Sequence, residues 1–419
     1  MSEPTLQEFT RASFKIGCLG FGGPAGQIAL MHRIFVEEKK WIDEERYLHA
    51  LNFCMLLPGP EAQQLATYVG WLKFGLRGAL IGGILFVLPG ALVVLALAWA
   101  YALNAHVPLV QAALLGVKAA VLALVIEAML RIGRRAFKPK VAPLVALASF
   151  AALYVFQAPF PIVILAAALF GAFFLRPQAT PEASERRPIR TGWSAFFCAV
   201  AWLAPLALSF LLLGPNHVLT EIGKLFSVLA LVTFGGAYAT LAYLQQAAVE
   251  TQSWLSTAAM IDALGLAETT PGPLVLVNQF VGFLAGWKEG GALLAIAGAA
   301  MASWCTFAPS FVWILAGAPY AERLRSNRSA AGALSAITAA VLGIIAQLAV
   351  WFAAHVLFAD VERVALAPGL SALWPDFATF NWTAALLGIL AGVALFRFKV
   401  GVLALVLGAA ALGMVLSLI

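Results

Sequence analysis

Charge is scarce in this chain. Only 11% of its 419 residues are Asp, Glu, Lys or Arg, against 62% hydrophobic, and an ordinary soluble domain carries about 25% charged residues. Clusters of reactive residues are missing too. Cys18, Cys54, Cys198 and Cys305 are isolated in apolar surroundings with no CxxC, so they read as small packing residues rather than disulfide or metal partners. The histidines at 32, 49, 106, 217 and 355 are scattered, and neither HExxH nor GxxxxGK[ST] occurs. No metal, no cofactor and no nucleotide hydrolysis is therefore expected, and with no nucleophile or redox centre the chain does not read as an enzyme. The run from Gly20 to Gly26 has no strand before it, which removes the dinucleotide-binding reading. Met1 to Lys15 lacks the basic, apolar and small-residue succession of a cleaved signal peptide.

Long apolar runs fill the space these absences leave. Strong spans read at 77–103, 107–130, 194–214, 290–317 and 331–358, with shorter ones at 141–156, 159–175, 380–396 and 399–418, and such runs belong in a lipid bilayer. The formal charge of +6 sits in short loops between spans, where it orients a chain in the membrane and does not suit nucleic acid. The segment RPQATPEASERRPIRTG from Arg176 to Gly192 cannot bury apolar surface and reads as a linker.

The chain also repeats itself. A gapless shift of residues 8–80 by 213 lays Phe21-Gly22-Gly23 on Phe234-Gly235-Gly236 and Pro58-Gly59-Pro60 on Pro271-Gly272-Pro273, with Glu37, Trp41 and Gly78-Ala79-Leu80 also recurring. A period this long means a duplicated domain, as in many transporters, and not a solenoid. Glycine opens positive φ and proline removes a backbone donor, so Gly-Gly and Pro-Gly-Pro break apolar helices. Pro24 to Phe35 makes about 18 Å of helix and Tyr47 to Leu57 about 16 Å, each roughly half the ~30 Å hydrocarbon thickness. Re-entrant hairpins meeting near the midplane fit these lengths. Loop charge points the same way: 31–47 carries Arg33, Lys39, Lys40 and Arg46, whereas 246–258 has no lysine or arginine. Re-entrant hairpins put the first link in the cytoplasm and the second outside, as the positive-inside tendency asks.

The expected fold is all-α: a polytopic membrane protein with two inverted-topology repeats, each having two broken or re-entrant hairpins followed by full transmembrane helices. The divisions are a first repeat at 1–175, a cytoplasmic linker at 176–193, a topology-inverting helix at 194–214 and a second repeat at 215–419. The N-terminus is expected in the cytoplasm and the protein in the inner (plasma) membrane. A homodimer is a common state for transporters, but no residue here marks a subunit contact.

Across nearly its whole length the chain resembles the chromate ion transporter superfamily in its long, two-domain form. The likeness rests on Phe21-Gly22-Gly23-Pro24, Ala29-Leu30-Met31-His32, Trp41, Leu57-Pro58-Gly59-Pro60-Glu61 with Gln64, Tyr68 and Gly70, and Leu88-Pro89-Gly90. In the second half it rests on Thr233 to Ala239, Asp262-Ala263-Leu264, Thr270-Pro271-Gly272-Pro273 and Pro309-Ser310. Two positions depart from the family pattern, Gln27 for a common histidine and Glu268 for a common glutamine. The resemblance implies export of chromate from the cytoplasm, with sulfate as the look-alike oxyanion.

Where a helix breaks within the membrane, its new N-terminus offers unsatisfied N–H groups and a positive dipole end, which suit a tetrahedral dianion. The expected donors are the backbone at Gly22, Gly23 and Pro24, at Pro58, Gly59, Pro60 and Glu61, at Gly235 and Gly236, and at Pro271, Gly272 and Pro273. The expected side chains are Gln27, Gln63, Gln64, Thr269, Thr270 and Asn278. The plain alternative for the glycines is close helix packing, and for Pro-Gly-Pro a kink; recurrence in both copies favours the binding reading. Lys15, two turns before the first break, could draw an anion inward, whereas Lys73, Arg77, Lys224 and Lys288 read as interface anchors. Glu61 and Glu268 flank breaks and are candidates to carry a proton, the alternative being simple helix caps. Glu127 reads as an ion-pair partner for Arg131.

Overall fold

The computed structural model describes residues 3–136, 141–175, 192–234, 237–317 and 328–418. Gly235, Gly236, residues 176–191 of the expected linker and the basic loop residues Lys138, Lys140, Arg323 and Arg325 lie outside them. Helices account for nearly all of what is described, and each of the nine expected spans is one. Five are long and apolar enough to cross a membrane: the second limb of α4 (Glu61–Asn104), α5 (Pro108–Ala136), α8 (Gly192–Leu213), the second limb of α12 (Val277–Gly317) and α13 (Arg328–Leu357). Four are shorter: α6 (Ala142–Tyr154), α7 (Phe160–Phe174), α14 (Trp382–Phe396) and α15 (Val402–Leu416). The chain is an all-α polytopic membrane protein. Helix α8 leaves Trp193, Leu211 and Leu212 more than 70% exposed, a surface that lipid covers and water would not.

The duplicated regions hold the short helices. In the first, α1 (Leu6–Leu19) is followed by α2 (Gly23–His32), α3 (Glu44–Cys54) and the first limb of α4. In the second, α9 (Val218–Val232), α10 (Ala237–Gln245), α11 (Thr257–Thr269) and the first limb of α12 repeat the order. Helices α4 and α12 each double back once more, at Phe74 and Gly75 and at Gly290 and Gly291, where Gly75 (φ 57) and Gly291 (φ 71) adopt left-handed backbone. The two limbs of α4 then touch backbone to backbone, since a Cβ on Gly70 or Gly78 would run into the other's carbonyl; Gly282 and Gly298 do the same in α12.

Helices α2 and α10 both end in a six-residue π turn, Arg33–Glu38 and Gln246–Thr251. A π turn brings residues i and i+5 together, and the same staple spans both: His32 Nδ1 lies 3.1 Å from Glu37 Oε1, and Gln245 Nε2 donates to Glu250 Oε1 at 2.9 Å. The exits match as well, with Lys40 and Ser253 at φ near +50 and Trp41 and Trp254 donating N–H to the carbonyls of Phe35 and Ala248.

The chain packs into two units, each drawing on both halves of the sequence. The first comprises Met1–Ala102, Pro181–Thr240 and Thr270–Leu324, the second Leu103–Thr180, Leu241–Thr269 and Arg325–Ile419. The first is pinned by a buried aromatic group, with the Phe9 ring 5.6–6.1 Å from those of Phe35, Trp41 and Phe74, so the Phe74 break is anchored to α1. In the second, small residues let helices close on one another, Gly116 against Ala409, Gly171 against Gly332 and Gly343 against Ala146. This unit also holds an unexpected antiparallel hairpin, β1 (Val361–Ala367) and β2 (Leu370–Pro375), turning at Pro368 and Gly369 (φ 77). Ser371 N–H and Arg363 Nη1 tie it to the carbonyls of Val155 and Tyr154.

Candidate functional site

Gly22 (φ 84) ends the passage from α1, and Pro24 stands in the first turn of α2, where a missing N–H costs nothing. Pro58-Gly59-Pro60 separates α3 from α4 with Gly59 at φ 106, and Pro271-Gly272-Pro273 separates α11 from α12 with Gly272 at φ 88. The expected breaks all lie where the glycines and prolines stand, except that the second Gly-Gly falls outside the described residues.

In the first unit these breaks hold one another. Gly59 N–H donates to Thr233 O at 2.9 Å, and Gly272 N–H donates to Gly20 O at 3.0 Å. Gly59 and Gly272 are equivalent in the duplication, as are Gly20 and Thr233, so each copy gives the other the same hydrogen bond. Gln27, almost wholly buried, spans the second contact with Nε2, donating to Gly20 O (3.1 Å) and Gly272 O (2.6 Å). Gln64 Nε2 donates to Pro58 O at 2.6 Å.

A small cavity lies among the breaks. Four helix starts line it: Pro24 of α2, Glu61 and Ala62 of α4, Ala237 of α10, and Leu274 and Val275 just before α12. The first N–H groups of a helix have no carbonyl partner in their own helix, so this lining is rich in donors and positive dipole ends. Gln27 and Thr240, equivalent positions of the two copies, add side chains. The Thr240 hydroxyl is buried without a hydrogen-bond partner, and so is Gln27 Oε1. The volume of ≈ 20 Å³ admits about one water-sized sphere.

The other expected residues lie elsewhere. Gln63 and Asn278 are buried against the second limb of α12, donating to Phe307 O (3.2 Å) and Thr306 Oγ1 (3.0 Å). The Pro271 carbonyl packs on Gly90, and Thr270 is buried beside it in sequence. Glu268 and Thr269 end α11 in the second unit, Thr269 donating to Leu266 O. Lys15 is on the exposed face of α1 and does not line the cavity. Lys224, exposed, donates to Pro215 O, and Glu127 pairs with Arg131 at 3.6 Å.

Two features escaped the sequence reading. Thr240 carries no signal except its equivalence to Gln27. Lys118, a charge near the middle of the second strong span, pairs with Asp262 in the second unit, Nζ to Oδ1 2.9 Å. An ionisable residue inside a span is itself a signal, and it was available. Among the described residues no group of His, Cys, Asp and Glu is set to hold a metal.

One family, described as Chromate transporter, matches this chain twice, over residues 7–172 and 220–414. A chromate transport protein of Cupriavidus metallidurans is 30% identical over 342 residues, 81% of this chain and 81% of the relative. A probable chromate transport protein of Synechococcus elongatus is 29% identical over 343 residues, 82% and 83% of the two chains. A chromate transport protein of Pseudomonas aeruginosa is 31% identical over 354 residues, 82% and 80%. No solved structure matches.

Proposed function

The chain belongs to the chromate transporter family, and from that premise we propose that it is a secondary transporter carrying chromate out of the cytoplasm across the inner membrane. The observation that carries this reading is the convergence of four helix starts on one cavity. Chromate is a tetrahedral dianion without a proton to donate, and backbone N–H groups at helix starts hold such an ion without a bulky cation. Sulfate has the same shape and charge and is the expected competitor.

In its closed form the cavity is water-sized, so an oxyanion enters only when the breaks part. The exchanged Gly59 and Gly272 bonds are the contacts that must open. Such reciprocity is what a two-fold relation between the copies produces, and with the axis in the membrane plane the copies are inverted, the arrangement on which alternating access runs. The basic loops then face the cytoplasm together with the N-terminus.

Expulsion needs no nucleotide. An inside-negative potential of about 100 mV favours outward movement of a dianion by about 4.6 kcal/mol, enough for roughly 2000-fold accumulation outside. Glu61, the carboxylate on the lining, opposes the anion, so Glu61→Gln should tighten binding.

Chromate uptake into inside-out vesicles under an imposed inside-positive potential, with sulfate as competitor, tests the proposal. Flux that ignores the potential rejects it, formation of a reduced product favours a membrane enzyme, and preference for sulfate makes sulfate the substrate.

A further inference from the structure

A groove of ≈ 620 Å³ opens in the second unit between α5, α6 and α13. Leu147 and Phe150 of α6 and Leu342 of α13 give it apolar walls, and the charged member of its lining is Arg134, near the end of α5. Along its seam α6 and α13 meet at backbone level, since a Cβ on Gly343 would strike the Ala146 carbonyl. The groove looks outward. Leu130 beside it is 49% exposed and Leu147 64%, on a surface that lipid covers and water would not.

Acyl chains of any lipid suit such walls, and the charge at one end selects among headgroups. Arg134 is exposed, and among the described residues no acid pairs with it, whereas Arg131 is held by Glu127 at 3.6 Å. Glu127 is the only acid of α5, and α6 and α13 have none. Arg131, Arg134, Arg135, Lys138 and Lys140 crowd ten positions, with no acid from there until Glu182. A guanidinium offers a planar fork of donors that matches two oxygens of a phosphate. Basic pockets between transmembrane helices take acidic headgroups by this chemistry. A zwitterionic lipid adds an ammonium that the same cations repel, so a headgroup of net negative charge is favoured. An arginine that served only to anchor α5 at the interface would need no groove beside it.

We propose that this groove is a binding site for an anionic phospholipid, whose phosphate sits on Arg134 and one of whose acyl chains lies along Leu147, Phe150 and Leu342. None of its residues lines the cavity among the helix breaks, so the site stands whichever ion the protein carries.

The test is native mass spectrometry of the full-length protein released from nanodiscs of phosphatidylglycerol and phosphatidylcholine in equal amounts, reading the lipids it retains. Wild type should keep phosphatidylglycerol over phosphatidylcholine by about fivefold or more, the factor for one arginine at a membrane surface. Arg134→Gln should bring the two lipids to parity with phosphatidylcholine unchanged, and Arg134→Lys should keep part of the preference. Ala346→Phe, which fills the groove, should lower retention of phosphatidylglycerol at least as far as Arg134→Gln does. Should that variant fail to fold, Arg134→Gln decides alone, because an exposed side chain can be replaced without disturbing the core. Parity in the wild type overturns the proposal, as does a preference that survives in Arg134→Gln or in a folded Ala346→Phe. Loss of a dimer in Arg134→Gln with lipid retention unchanged also overturns it, and makes the groove a contact between two copies.

Discussion

The hairpin from α2 to α3 and the one from α10 to α11 have almost the same backbone and opposite chemistry. The π turn, the left-handed residue after it, the tryptophan N–H bond and the positive-φ glycine recur 213 residues apart. The side chains do not follow. Four basic residues in 31–47 face none in 246–258, the His32 staple becomes Gln245, and His49 becomes Asp262. What the duplication preserves is where N–H groups point and where the chain turns, which is what an anion held by backbone requires. Charge was free to diverge.

Substitutions at equivalent positions sharpen that contrast. The largest effect is expected at the paired glycines: Gly59→Ala and Gly272→Ala both force a side chain into left-handed backbone, a strain of about 1–3 kcal/mol, and meet Gln64 Nε2 at 3.1 Å and Leu276 Cδ1 at 3.2 Å. Both variants should reach the membrane and lose chromate resistance; wild-type flux in both removes the breaks from the mechanism, and a loss in only one breaks the equivalence. Next come Gln27→Leu and Thr240→Val. The first strips a donor from two buried carbonyls; Gly20 O keeps the Gly272 N–H, so the loss falls mainly on Gly272 O and should lower stability by about 1–3 kcal/mol, read as a fall in the thermal midpoint. The second removes an unpartnered hydroxyl, so stability should hold while half-saturation for chromate rises several-fold; an unchanged half-saturation takes Thr240 out of the site. At the staples, Gln245→Ala should cost more than His32→Ala, because Gln245 is buried and His32 is not, with exposed pairs worth about 0–1 kcal/mol. Smallest of all, Lys15→Gln should raise half-saturation about twofold in low salt and not in high salt, as for a charge that steers rather than binds. No change at either salt returns Lys15 to the membrane interface.

The spans and breaks were legible because their causes are local: apolar runs of fixed length, and glycine and proline acting on their own φ. The four helix starts could be anticipated for the same reason. Their mutual hydrogen bonds could not, since Gly59 and Thr233 meet only through the tertiary fold. The turns at Phe74 and Gly290 stand where the strong spans 77–103 and 290–317 begin, marked by Lys73 and Arg77 and by Lys288 and Glu289; that the chain doubles back there onto the preceding limb is a tertiary fact that composition does not carry. The π turns left their trace in the recurring Glu37 and Glu250, which has no meaning until the i+5 partner is known. The β-hairpin did leave a sign, Pro368-Gly369 between two short β-compatible runs, in the stretch between the spans 331–358 and 380–396. Gln63 and Asn278, expected at the anion, donate to Phe307 O and Thr306 Oγ1 of α12, contacts that polarity alone does not foretell.

Because each half holds the donor that the other half's acceptor needs, neither carries a complete latch of its own. A severed chain whose fragments insert independently would regain the fastening only by finding its complement. A lone fragment would have to borrow from a twin, which makes self-pairing the natural resting form of any single-repeat ancestor.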